Sequence, residues 1–65
     1  MDNMKIAERL RKLRGDKSQR EVADAVGVTA MAISLSESGE RIPRDEIKIK
    51  LAKYYQTTVD AIFFN

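Results

Sequence analysis

The side chains that could do chemistry in this chain are hydrogen-bonding and cationic rather than nucleophilic. The sequence has no cysteine and no histidine, and its 10 Asp and Glu residues are spread along the whole chain. Disulfides, thiolate metal sites and imidazole acid–base catalysis are therefore excluded, and no nucleophile can be paired with a base. What remains are 12 Lys and Arg residues that can pair with anions, together with short polar side chains around a glycine. We therefore expect a binding protein, not an enzyme, without a cofactor or a metal ion.

The most informative segment, residues 19–37, has the spacing of two short amphipathic helices joined by a turn. Ser18 and Glu21 form an S-x-x-E capping box, which predicts that the first of these helices begins just after Ser18. Gly27 supplies a positive φ that ends this helix, and Thr29 has a side chain that can cap the next one. Two helices joined by a short turn containing glycine form the helix-turn-helix arrangement, which presents its second helix to a groove of DNA.

The rest of the chain also has helical rather than alternating periodicity, so we predict five helices and no strands. The predicted helices run from about Asp2 or Asn3 to Arg14, from Gln19 to Val26, from Thr29 to Ser38, from about Arg44 to near Tyr55, and from Val59 to about Phe64. Their expected inward residues are Ile6, Leu10, Leu13, Val22, Ala23, Val26, Ile33, Ile47, Leu51, Tyr54, Val59, Ile62 and Phe63. With 65 residues and no linker, residues 1–65 are expected to form a single domain near the lower size limit for unaided folding.

The charge balance limits how the protein can attract a partner. The net charge is only +2, so a basic surface must come from the arrangement of charges rather than from their total. Residues 1–22 carry seven basic and four acidic residues, whereas residues 23–65 carry five and six. No apolar run approaches the roughly 20 residues that span a bilayer, and the N-terminus lacks the apolar core of a signal peptide. We expect a soluble cytoplasmic protein without membrane partners.

The helix order and several short motifs resemble the phage-repressor-like, or Xre-type, helix-turn-helix family. The resemblance rests on Gln19, Ala23, Gly27, Ile33-Ser34 and Glu37, on SGERIP at 38–43, on K-x-x-x-Y-Y at 50–55, and on VDAIFF at 59–64. It implies an all-α, compact five-helix, lambda-repressor-like bundle with the helix-turn-helix at helices 2 and 3. It also implies a bacterial or phage-encoded regulator that binds a double-stranded, pseudo-palindromic DNA operator, usually as a homodimer.

The resemblance assigns DNA-contacting roles to nine residues. The candidates for contacts with base edges are Gln19, Thr29, Ala30, Met31 and Ser34, and the candidates for phosphate contacts are Lys17, Ser18, Arg20 and Arg41. Several have plainer alternatives: Gln19 can be an ordinary solvated residue, Thr29 only a helix cap, and Ala30 and Met31 packing residues. Glu37 is expected to be structural, paired with a cation of the first helix, and the sequence leaves Arg11, Lys12 and Arg14 open as that cation.

Two departures from the family pattern bear on mechanism. Many members carry Gln, Arg or Asn where this chain has Ala30 and Met31, so we expect little direct hydrogen-bonded readout. Specificity would then depend on apolar contacts with thymine methyl groups, on Gln19 and Ser34, and on DNA shape. Ser36 stands where the family usually has a large apolar or aromatic residue, so either the helix is rotated slightly or the stability is lower than typical. Restoring an aromatic residue at this position is expected to raise the melting temperature.

Aromatic area near the C-terminus suggests how a second copy would bind. The candidate dimer-interface residues are Tyr55, Ile62, Phe63 and Phe64, of which adjacent Phe63 and Phe64 cannot both face one core. The alternative function is an antitoxin-like protein-interaction module whose helix-turn-helix serves autoregulation, for which Met31 and Leu35 would offer apolar surface. A severed N-terminal domain of a longer repressor is a further alternative, although an end just after a capped helix favours a complete small regulator.

Overall fold

A computed structural model describes residues 2–64 of the chain, and this part contains helices but no strand. The helices are α1 (Asn3–Arg14), α2 (Gln19–Val26), α3 (Ala30–Ser38), α4 (Asp45–Tyr54) and α5 (Asp60–Phe64), the last a short π-helical turn. The predicted all-helical fold with five helices is therefore confirmed. The predicted boundaries of all five helices agree within one residue. The fifth helix is a π-helix, which the sequence pattern did not indicate.

Side-chain caps start the helices at the predicted places. The Ser18 hydroxyl accepts a hydrogen bond from the Glu21 amide at 3.0 Å, and Thr29 Oγ1 accepts one from the Ala32 amide at 3.0 Å. Each bond satisfies an amide that lacks an intrahelical partner. Gly27 has φ +77°, the left-handed conformation that a side chain would strain, so α2 ends there and the chain turns directly into α3.

Helix α3 is the element against which α1 and α2 both pack, while α2 also contacts α4, and α1 contacts α5. The buried apolar residues form one cluster: Ile6, Leu10, Val22, Ala23, Val26, Ile33, Ile47, Leu51, Ala52, Ile62 and Phe63. Each large apolar side chain buried there contributes about 1.5–3 kcal/mol. Leu13, Tyr54 and Val59, also expected inward, are only partly buried and lie against this cluster.

Among residues 2–64, no helix combines the length and the apolar character needed to cross a membrane.

Candidate nucleic-acid interface

Helix α3 has one side inside the bundle and the other in solvent. Ile33, Ser36 and Glu37 are buried, whereas Met31 is 67 % exposed and Thr29, at the cap, is exposed as well. Met31 therefore does not fill the core, and its alternative role as a packing residue is wrong. Ala30 lies against the core and is only partly exposed, as is Ser34.

A buried carboxylate and a partly buried guanidinium hold α3 to α1. Arg14 Nε donates to both carboxylate oxygens of Glu37, at 3.0 and 2.8 Å, and Arg14 Nη1 donates to the Lys17 carbonyl at 2.7 Å. Glu37 is only 4 % exposed, so its negative charge needs this partner. The expected structural role of Glu37 is confirmed, and Arg14 is its cation. Arg11 instead donates to the Glu37 backbone carbonyl.

Gln19 is joined to the same carboxylate. Gln19 Nε2 donates to Glu37 Oε1 at 3.1 Å, so the side chain links the start of α2 to the end of α3. Because a carboxylate can only accept, the amide nitrogen must face Glu37 and the amide oxygen must point away from it. Gln19 is thus not merely a solvated residue, and its oxygen is presented as an oriented acceptor. Sequence reasoning missed this bond, which joins residues 18 positions apart.

The four residues predicted to contact phosphates all lie on the surface, and they differ in the interactions that their side chains already make. Lys17, Ser18, Arg20 and Arg41 are all exposed. Arg20 lies 3.8 Å from Asp24 in an ion pair whose members are both more than 70 % exposed, so the pair is weak and Arg20 can exchange it for a phosphate. The Lys17 ammonium lies 5.4 Å from the Tyr54 ring centroid, and the Ser18 hydroxyl already serves as a cap. Arg41 has no ion pair within residues 2–64.

Tyr55 lies near the buried carboxylate of Glu37, and burial and this negative charge both affect the pKa of its phenol. Burial raises the pKa of Tyr55 to about 12, with smaller contributions from the negative charge of Glu37 and from Tyr54, opposed by Arg14. The ring of Tyr54 meets that of Tyr55 edge-on, with centroids 5.2 Å apart. Tyr55 therefore stays a neutral phenol at physiological pH.

The four candidate dimer residues are not equally accessible. Ile62 and Phe63 are each 1 % exposed and belong to the core, so a second copy could reach them only if the bundle opened. Phe64 is 59 % exposed, and the Lys48 ammonium lies 5.2 Å from its ring centroid. Tyr55 is partly buried. Phe64 is thus the member of the adjacent phenylalanine pair that faces solvent.

Within residues 2–64 no group of three or more acidic side chains is placed to hold a metal ion.

Compared with models of known protein families, residues 8–62 match the model described as Helix-turn-helix. No curated protein and no solved structure matches the chain.

Proposed function

The chain belongs to the Xre-type helix-turn-helix family of DNA-binding transcription regulators, and from this membership we propose that it is a small repressor that inserts α3 into the major groove of its operator. The single observation that carries the proposal is the open outer side of α3, where Met31 is exposed although its helix is anchored on the opposite side. The family match covers both helices of the motif, which supports assigning this surface to DNA.

The side chains on this surface favour a particular kind of readout. Met31 and Ala30 are apolar and suit the methyl group of thymine in the major groove. Thr29, Ser34 and the oriented oxygen of Gln19 offer hydrogen bonds to base edges. With no cation on α3, direct readout is sparse, and the shape and deformability of the duplex carry more of the specificity.

Phosphate contacts supply the affinity in this proposal. Arg41, just after α3, is exposed and without an ion pair inside residues 2–64, and Lys17 and Arg20 flank the start of α2. The amides at the N-terminus of α3 add a positive dipole end for a phosphate oxygen. Each cation that neutralises a phosphate adds about one unit to the slope of log affinity against log salt.

Selection of bound sequences from random duplex DNA, followed by titrations at several salt concentrations, tests the proposal. We expect the original chain to select a preferred sequence with thymine-rich positions. The Arg41→Gln variant should bind every sequence more weakly, and its salt slope should be smaller by about one unit. Met31→Ala should lower discrimination at one base position, and Gln19→Ala at another. Lys12→Gln, which removes an exposed cation already paired with Glu8, is the control and should leave the salt slope unchanged.

The exposed Met31 also suits the alternative of an antitoxin-like module that binds a protein. Salt and Arg41 distinguish the two functions: DNA binding would weaken with added salt and on Arg41→Gln, whereas an apolar protein interface would be nearly insensitive to both. A chain that binds no duplex even in dilute buffer would refute the DNA-binding proposal.

We further propose that the regulator acts in the cytoplasm as a homodimer on a pseudo-palindromic operator. A two-fold axis would place two copies of α3 about one DNA turn apart, which makes the half-site spacing a geometric consequence. The exposed Phe64 supports this assembly, since burying its ring would remove apolar surface from water.

A further inference from the structure

A cavity of about 310 Å³ lies between α3, α4 and the connector that joins them. Ile33, Ile47 and Leu51 line it from the core, and Ile42 and Pro43 line it from the connector. Ser36 is the only hydroxyl among its lining residues and is 6 % exposed. Small side chains on α3, Ala32 and Ser36, form part of its wall.

The charges around this cavity have one sign. Arg41 and Arg44 line it as well, and both side chains extend into solvent. No carboxylate is among the lining residues. Arg44 pairs with Glu46 at 3.7 Å, and this pair is exposed and therefore weak. An apolar interior beside two guanidinium groups suits a molecule with an apolar body and an anionic end.

We propose that this cavity binds a small aromatic carboxylate, with the ring among the apolar residues and the carboxylate paired with Arg41 and Arg44. The size fits, because an apolar cavity of about 150 Å³ already accepts benzene, and the remaining volume accommodates a short acidic arm. A rigid ring loses less conformational freedom on binding than a flexible chain of the same size, and guanidinium pairs with carboxylate in a planar, two-point geometry. The Ser36 hydroxyl can donate a further hydrogen bond inside the site.

Binding at this site would also oppose DNA binding, and this second part rests on the proposed function. Arg41 is the phosphate candidate that follows α3, so a carboxylate paired with it removes that cation from the DNA surface. The ligand would therefore act as an inducer that lowers the affinity of the protein for DNA.

Calorimetric titration of the full chain with three probes tests the site. Phenylacetate is expected to bind with a Kd of about 1 mM or below, a value typical of a well-fitted ligand of about ten non-hydrogen atoms. Phenylacetamide, which keeps the ring but lacks the charge, should bind about tenfold more weakly, and acetate should show no binding. Equal binding of phenylacetate and phenylacetamide would overturn the proposal, as would the absence of phenylacetate binding.

Two variants locate the binding. Ser36→Phe puts a covalent ring into the cavity and should abolish phenylacetate binding. The double variant Arg41→Gln/Arg44→Gln changes only exposed side chains and should weaken phenylacetate about tenfold without affecting phenylacetamide. Lys50→Gln, an exposed α4 residue outside the cavity lining, is the control. If the double variant or Ser36→Phe binds phenylacetate as the original chain does, the cavity is not the site.

A DNA titration with and without phenylacetate separates the two proposals. Weaker DNA binding in its presence supports the inducer role. Phenylacetate binding by a chain that binds no DNA would leave the ligand site standing and refute the proposed function, whereas DNA binding without phenylacetate binding would refute only the ligand site.

Discussion

Among single side chains, Glu37 has the widest structural effect. Its carboxylate accepts from Arg14 of α1 and from Gln19 of α2 while belonging to α3, so one buried charge connects three helices. The same charge orients the amide of a predicted base-contacting residue. The stability of the bundle and the orientation of a predicted DNA contact therefore depend on the same atoms.

Replacing Glu37 by Gln should lower the free energy of unfolding by about 1.5–3 kcal/mol, because Arg14, only 23 % exposed, would lose its hydrogen bonds to a charged partner. Urea denaturation measures this loss. Glu8→Gln is the matched control: Glu8 pairs with Lys12 at 3.3 Å on the surface, and its loss should change stability by less than about 0.5 kcal/mol. Equal effects of the two substitutions would show that Glu37 does not stabilise the bundle in this way.

Tyr55 should make the fold sensitive to alkali. Its pKa in the folded state, about 12, lies above the ordinary value of 10.0, so the folded chain holds the phenolic proton more tightly than the unfolded chain. This contribution to stability is fully present below pH 10 and is lost as the pH rises to about 12. Unfolding free energies measured over that range should fall less steeply for Tyr55→Phe than for the original chain. Tyr54→Phe, the adjacent control, should keep the steeper fall.

Between helices, a cavity lies where α3 faces α4. Ser36 is buried as predicted, yet it borders the apolar cavity instead of filling it. A gap between side chains forfeits dispersion contacts that a larger side chain would make with its neighbours. The interface between α3 and α4 is therefore less cohesive than the contacts of α3 with α1 and α2.

Ser36→Phe is expected to raise the melting temperature by about 5–10 °C, since filling such a space contributes about 1–2 kcal/mol in a domain of this size. Thermal unfolding followed by circular dichroism measures it. Ser36→Ala removes the hydroxyl without adding volume, so it should leave the melting temperature little changed. A melting temperature that stays the same or falls in the Phe variant would contradict this account of the packing.

For the molecule as a whole, the helices and their order could be predicted because caps, periodicity and glycine turns are local signals. Ser18, Gly27 and Thr29 each act within a few residues of their own position. Two contacts of Glu37 could not be predicted from the sequence: its hydrogen bond with Gln19 and its pairing with Arg14 instead of Arg11 or Lys12. Both depend on how the turn between α1 and α2 orients helices that are distant in sequence. The nine DNA contacts remain predictions, now with known exposure.

Assembly should depend on Phe64. If its exposed ring packs against a second copy, Phe64→Glu should shift the chain from dimer to monomer at micromolar concentration, because a charge buried in an apolar contact is costly. Analytical ultracentrifugation measures the mass. Met31→Glu alters a comparably exposed apolar residue on α3 and should remain dimeric. A monomeric original chain at high micromolar concentration would refute dimerisation through this surface.

The cavity between α3 and α4 also affects how the folded protein responds to pressure. Unfolding removes internal void volume, so the unfolded state takes up less total volume. Hydrostatic pressure is therefore expected to favour unfolding of the chain. A chain packed this way exchanges tight packing for a fold in which α3 rests on a compressible support.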